Sequence, residues 1–329
     1  MPTAERAKSL WFLGPHSVEL REEPAPTGEV VARALASGLS QGTERLLYLG
    51  KGPLPFDPSL PYNTTYPCRY GYAWVGEVIE SASRDHNKGD RVFALKPHGE
   101  IHAGNAGDFR AVPVTLPTSR ATLLANAETA VNIVWDAKPT LGDRVAVVGG
   151  GVVGVLTALA LSRMGLEITL FERSETRRAL LRDVLPNAML AEELLPAEAL
   201  TLRSLASFDI AIDTSGHPSV LPLCVPLLRN GGRLVLASFL GTAPTEIRFG
   251  EQFFQARLEL VASHVSQIPP PLRERYDYDR RFAVAASLLE EKRLDALIES
   301  VPFSHAAEIY SAIARGPEEH RPHVVFDYL

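Results

Sequence analysis

A chain of 329 residues has room for two domains of ordinary size, and its 46% hydrophobic and 22% charged residues suit a globular protein with a buried core. The formal net charge of −6 argues against nucleic acid as a partner, since that role calls for a basic face. Two cysteines, Cys68 and Cys224, are too few for a disulfide framework or a four-cysteine zinc lobe. The longest apolar run, residues 152–161, is broken by Gly154 and Thr157 and is far short of a bilayer. The apolar patch at residues 10–13 is too short for a signal peptide. The expectation is a cytoplasmic protein with no membrane partner.

Up to about residue 120 the chain reads as β-rich. Alternating runs at 18–21, 29–35, 74–79 and 91–95 are split by Gly, Pro and Asp. Residues 53–67 form a proline-rich loop with aromatics at Phe56, Tyr62 and Tyr66. From residue 123 strand-like and helix-like segments alternate. Strands are predicted at 144–149, 167–172, 208–213, 233–238 and 258–263, and helices at 152–164, 175–184 and 218–228. That alternation implies βαβ units and a doubly wound parallel sheet. The triple proline Pro269-Pro270-Pro271 is expected to mark a domain border. Beyond it come a helix at 279–291, a strand at 297–301, a helix at 305–314 and a strand at 322–327, a tail expected to rejoin the first domain. The predicted architecture is thus α/β, with a β-rich domain at 1–121 and 268–329 and a Rossmann domain at 122–267.

The sharpest motif is Gly149-Gly150-Gly151-Val152-Val153-Gly154, a G-x-G-x-x-G directly after a strand and opening a helix. Gly149 permits the turn, Gly151 lets a pyrophosphate approach the backbone, and Gly154 lets helix and strand pack closely. The N–H groups of the first helical turn, with Val152 and Val153, then face the phosphates. Glu172 ends the next strand, 23 positions after Gly149, where an acidic residue binds the adenine-side ribose. Glu172 favours NAD, because a carboxylate repels a 2′-phosphate. Arg173, Arg177 and Arg178 keep NADP open. Ser215, Gly216 and Ser238 follow later strands at the same edge of the sheet and are candidate nicotinamide-side contacts.

The order of parts resembles the medium-chain dehydrogenase/reductase superfamily, alcohol dehydrogenase-like proteins with a GroES-like catalytic domain. The likeness rests on residues 37–44 (SGLSQGTE), 70–78 (YGYAWVGEV), 89–92 (GDRV), 141–154 and 213–216 (DTSG). Residues 125–130 and 263–281 are similar to a subgroup labelled zinc-binding dehydrogenase, and residues 42–47 resemble bacteriochlorophyllide dehydrogenases. In zinc-dependent relatives a Cys stands at Ser40, a His at Tyr72 and a third ligand near Ala125. None of these is an ordinary zinc ligand, so no zinc is expected. His98, His102, Cys68 and Glu128 are the residues from which a site would have to be rebuilt.

Without a metal, charge on a carbonyl oxygen must be met by a hydroxyl or a general acid. Tyr72 stands at a ligand position, Thr43 matches the family's hydroxyl relay, and Glu128 precedes Thr129, which matches a position facing the nicotinamide. Ser40, Glu44 and His98 complete the catalytic candidates. Each has a plainer reading: Tyr72 filling volume, Glu44 paired with Arg45 or Arg69, Glu128 capping a helix, His98 a loop histidine with one hydrogen bond. The resemblance implies a small-molecule substrate bound between the domains and a homodimer seamed along residues 258–266. The expected activity is a zinc-independent alcohol–carbonyl oxidoreductase using NAD, with NADP possible. The alternatives are an NAD(P)H-dependent enone or quinone reductase and a non-catalytic nucleotide-binding protein.

Overall fold

The computed structural model describes residues 6–52, 65–192, 206–241, 243–316 and 320–328. Phe56 and Tyr62 of the proline-rich stretch lie outside the described residues. The chain opens on an antiparallel hairpin of β1 (Arg6–Gly14) and β2 (Ser17–Pro24). There follow β3 (Val30–Leu39), α1 (Thr43–Tyr48), β4 (Trp74–Ser81), β5 (Arg91–Ala94), β6 (Ile101–Gly104), β7 (Arg110–Ala111) and α2 (Thr118–Ala121). Helix α3 (Leu124–Ala137) leads into β8 (Arg144–Val148), α4 (Val152–Arg163), β9 (Glu167–Phe171), α5 (Glu175–Val184), β10 (Met189–Ala191) and β11 (Phe208–Asp213). Then come α6 (Leu221–Cys224), β12 (Leu228–Leu236), β13 (Glu259–Ala262), α7 (Tyr278–Leu288), β14 (Ile298–Pro302), α8 (Ala306–Arg315) and β15 (His323–Asp327).

Two compact units result, Met1–Ala125 with Leu297–Leu329, and Asn126–Ala296. In the first, a sheet runs β14-β15-β3-β4-β5-β7, with β6 also paired to β3. The C-terminal β15 pairs antiparallel with β3, Val324 opposite Leu39 and Asp327 opposite Ala36. Strand β3 is buried along nearly its whole length, which its small and β-branched residues (VVARALASGL) allow. Trp74 is fully buried and donates its Nε1–H to Gly99 O at 2.9 Å. A second apolar cluster gathers Leu10, Phe12, Tyr48, Tyr310 and Phe326.

The second unit holds a six-stranded sheet in the order β10-β9-β8-β11-β12-β13, every pairing parallel. The chain lays β9 and β10 to one side of β8, then returns to lay β11, β12 and β13 on the other. That reversal between β8 and β11 is the topological switch point at which such sheets bind ligands. The core beside it includes Val148, Phe171, Ala211, Cys224 and Leu234.

Three local expectations differ from the structure. The helix predicted at 218–228 shrinks to Leu221–Cys224 and one 3-10 turn, Val225–Leu227. Pro226 has no N–H to continue it. Strand β12 accordingly starts at Leu228, with a register shift near Gly231 and Gly232 before it meets β11 again at Arg233. The triple proline forms a short 3-10 turn, Pro270–Leu272, and the crossing between units falls at residues 296/297. The segment from 268 to 296 stays with the parallel sheet because α7 is tied there by Arg281, bonded to Glu128 and Asn132, and by Arg163, which donates to Ser287 O and Leu288 O.

Candidate nucleotide and catalytic sites

The glycine motif forms the turn that joins β8 to α4. Gly149 has φ +111°, a region that side chains with a Cβ rarely adopt, and its N–H donates to Phe171 O at 2.9 Å. A Cβ on Gly154 would lie 1.9 Å from Gly149 O and 2.7 Å from Thr214 Oγ1, so helix and turn touch there. A Cβ on Gly151 would meet nothing within 4 Å. Gly151 is the N-cap of α4 and supplies no side-chain cap. The first N–H groups of a twelve-residue helix, those of Val152 and Val153 among them, therefore begin beside open space. This is the cradle a pyrophosphate needs, and the residues present fit a dinucleotide.

Glu172 follows β9 and is 6% exposed. Its Oε2 accepts Gly150 N–H at 2.9 Å and Arg177 Nη1 at 3.3 Å, and its Oε1 accepts Ser174 N–H at 2.8 Å. Ser174 caps α5 by accepting Arg177 N–H. Arg178 donates to the carbonyls of Glu172 and Arg173. The acidic residue, Arg173 and Arg177 thus come together beside the glycine turn.

On the other side of the switch point Asp213 is fully buried at the end of β11. Its Oδ1 accepts both Ser215 N–H (2.9 Å) and Ser215 Oγ–H (2.7 Å). Burial pushes its carboxyl above the usual carboxylate range. Ser238 Oγ donates to Asp213 O and accepts Gly216 N–H at 2.8 Å. Ser215, Gly216 and Ser238 are therefore one hydrogen-bonded cluster. Thr129, on α3, is half-buried. Glu128 is 7% exposed and pairs with Arg281 at 3.1 Å.

In the first unit the structure gathers four of the six catalytic candidates. Glu44, fully buried, accepts Ser40 N–H at 3.0 Å on Oε1. Its Oε2 accepts Tyr310 O–H and meets His98 Nε2 at 2.9 Å. Ser40 Oγ accepts Thr43 N–H at 3.2 Å. His98, also fully buried, meets Ser37 Oγ through Nδ1 at 2.6 Å, and Ser37 Oγ lies 2.8 Å from Tyr328 OH, which accepts Gly99 N–H. One assignment gives every proton in this chain an acceptor: Tyr328 donates to Ser37, Ser37 donates to Nδ1, and Nε2–H donates to Glu44. His98 thus makes two side-chain bonds, and both it and Glu44 are fully buried. Arg45 and Arg69, the partners considered for Glu44, instead bond Ile313 O and Glu23. Tyr72 is half-buried against the Tyr310 cluster, edge-on to Tyr70. Ser37, Tyr310 and Tyr328 were not singled out in the sequence, because only tertiary pairing brings them to Glu44 and His98.

The donors from which a zinc site would be rebuilt hold other partners. His98 is bonded as described, and His102 Nε2 meets Pro97 O at 2.8 Å. Burial raises the Cys68 thiol to about 11. Among the described residues no three His, Cys, Asp or Glu side chains group to hold a metal ion.

A parallel sheet with a glycine turn at its switch point in one unit, and a mixed, mostly antiparallel GroES-like sheet in the other, is the fold class of two-domain dehydrogenases. Comparison with known proteins agrees. The chain is 31% identical over 333 residues to 2-desacetyl-2-hydroxyethyl bacteriochlorophyllide A dehydrogenase of Cereibacter sphaeroides, covering 93% of this chain and 92% of that protein. The chain belongs to the medium-chain dehydrogenase/reductase superfamily. Its fold is that of a zinc-binding dehydrogenase from Sinorhizobium meliloti 1021 bound to NADP, with TM-score 0.77, 20% identity, and 99% and 100% of the two chains covered. It is also that of a short chain alcohol dehydrogenase from Escherichia coli CFT073 complexed with NADH, with TM-score 0.77, 19% identity, and 99% and 100% covered. The profile of the FAD dependent oxidoreductases matches residues 144–179, the βαβ unit around the glycine turn.

Proposed function

We propose that this protein is a zinc-independent, nicotinamide-dependent oxidoreductase that interconverts an alcohol and a carbonyl on a small organic substrate. The observation that carries the reading is the open cradle at Gly151, with Glu172 placed at the adjacent strand end. NAD is the favoured cofactor, since the Glu172 carboxylate faces the adenine side; Arg173 and Arg177 are the residues through which NADP would be taken. The cofactor supplies or accepts the hydride. The protein's part is to bind it at Gly149–Gly154, to steady the far half through Ser215, Gly216 and Ser238, and to offer hydroxyl donors, Tyr72 and Thr43, to the oxygen that gains charge. Support for a metal-free site comes from the donor set, with Ser40 and Tyr72 where ligands stand in zinc-dependent relatives. The relatives support the reaction class by name, one being a 2-desacetyl-2-hydroxyethyl bacteriochlorophyllide A dehydrogenase and another an alcohol dehydrogenase with NADH. The same reading makes the protein a homodimer joined through β13.

The test is a pair of fluorescence titrations, NADH and NADPH, on chelator-treated protein, followed by turnover on a panel of alcohols, ketones and enones. Micromolar NADH binding with alcohol–ketone turnover that survives chelation is expected. Zinc-restored activity would overturn metal independence. Turnover of enones alone would move the assignment to an enone or quinone reductase, and binding without turnover to a nucleotide-binding protein. Binding of neither cofactor would end the reading.

A further inference from the structure

Three acidic or amide side chains on α3 are spaced four apart, Glu128, Asn132 and Asp136, and so share one face of the helix. Each bears on the segment that leaves β13. Asp136 Oδ2 accepts Ser263 Oγ–H at 2.7 Å, Asn132 Nδ2 donates to His264 O at 3.3 Å, and Arg281 joins Glu128 to Val265. The Arg281 guanidinium, 5% exposed, donates through Nε to Glu128 Oε1 at 3.1 Å and through Nη1 to Val265 O at 2.6 Å and Asn132 Oδ1 at 3.1 Å. Asn132 Nδ2 also reaches Asp136 Oδ2 at 3.0 Å, which links the rungs. Residues 263, 264 and 265 are thereby laddered, one after another, along a helix, and α7 clamps the far end.

A buried ion pair is a costly way to hold a strand exit that an ordinary turn would serve. What passes over this exit explains the expense. In the dinucleotide reading Glu172 would take the adenosine half at the end of β9. The strand order then leaves β11, β12 and β13 for the other half. The carboxyl ends of those strands, Asp213, Leu236 and Ala262, lead into Gly216, Ser238 and Ser263. We propose that the ladder of Glu128, Asn132 and Asp136, closed by Arg281, is a positioning device for the nicotinamide half, and that Glu128 acts through Arg281 and does not donate a proton to substrate. This rests on the dinucleotide reading above.

The experiment compares the affinities of NADH and ADP-ribose, which lacks the nicotinamide, together with thermal midpoints. Ser263→Ala and Asn132→Ala each remove a rung without stranding a buried charge. Glu128→Met with Arg281→Met removes both charges of the pair together. NADH affinity is expected to fall about tenfold in the double variant and several-fold in the single ones, with ADP-ribose affinity within about twofold of the unmodified protein. Arg281→Lys, which keeps the charge and loses the fork, should fall between. Parallel loss of both ligands would show a merely structural strap and overturn the proposal, as would unchanged NADH binding. If the unmodified protein bound neither ligand, the dinucleotide reading itself would fall and take this one with it; if it bound both and the variants matched it, only the ladder's role would fail.

Discussion

At the scale of single residues, the glycines of one turn divide into those that hold structure and one that holds space. Gly154→Ala puts a methyl group 1.9 Å from Gly149 O, so the backbone must move. A loss of about 1–3 kcal/mol in stability is expected by thermal or chemical unfolding. Gly151→Ala meets nothing within 4 Å in a conformation alanine adopts freely, so stability should hold within about 1 kcal/mol. Its methyl group would occupy the pyrophosphate cradle, and dinucleotide affinity should fall about tenfold or more. Equal affinity in Gly151→Ala would mean that no phosphate lies there. Glu44 poses a different problem. Its fully buried carboxylate serves three donors, Ser40 N–H, His98 Nε2–H and Tyr310 O–H. Burial pushes the Tyr310 phenol well above its usual range, so the phenol stays a donor. Glu44→Ala strands all three, and a loss of about 3–5 kcal/mol should appear as a lowered thermal midpoint. Glu44→Gln should lose less, since its amide oxygen still accepts although its NH2 faces donors. A Glu44→Ala midpoint equal to the unmodified protein's would show that the network is solvated.

At the scale of elements, what the sequence made legible was whatever is encoded locally. Strands β8, β9 and β11 are short β-branched runs bounded by Gly, Asp or Ser, and they fall where periodicity places them. The helix after Pro218 was overcalled because two prolines, Pro222 and Pro226, sit inside an apolar run whose periodicity alone reads as helix. The Glu44–His98 network was half legible: the residue types stood out, but Tyr310 lies 266 positions from Glu44, and Ser37 and Tyr328, which bond each other, are 291 positions apart. Strand pairing also sets an acid limit on the first unit. His323 opens β15 against β3, its ring so close that a Cβ on Gly38 would be 2.5 Å from it. Thr122 Oγ–H already donates to Ser119 O, so it accepts from His323 Nε2–H. Burial lowers the pKa of His323 to about 3 and that of His102, on β6, to about 4, from an ordinary 6.5. Both are neutral when folded, while the unfolded chain binds protons below about pH 6.5. Stability is therefore full above that pH and falls as pH falls, until the folded state also protonates near pH 4 and 3. At pH 4.5 the loss should be about 3 kcal/mol for each ring. Thermal midpoints from pH 7.5 to 4.5 check this: His323→Gln should be less stable at neutrality and visibly flatter with pH. Parallel curves would assign the acid loss to other groups.

At the scale of the whole molecule, the sheet of the second unit ends in a strand that invites a neighbour. Strand β13 closes that sheet on one side, and Glu259, Leu260 and Ala262 along it are exposed. In the segment that precedes it, Phe249 and Phe254 are 53% and 77% exposed, large apolar rings open to a partner. An outer strand with free backbone groups and apolar neighbours either pairs with a defined partner or aggregates. Lysines and prolines, the usual guards of such an edge, are absent from residues 259–262. A second copy, set about a two-fold axis, would use the same edge from both sides and close the assembly. The expected state of the proposed homodimer is thus a dimer by light scattering at micromolar concentration. Leu260→Lys places a charge in that seam and should shift the equilibrium to monomer by tenfold or more, with secondary structure and ADP-ribose affinity retained because the glycine turn lies three strands away. A monomeric unmodified protein would refute the β13 seam directly. A dimer untouched by Leu260→Lys would move the interface elsewhere and leave the exposed phenylalanines to another partner.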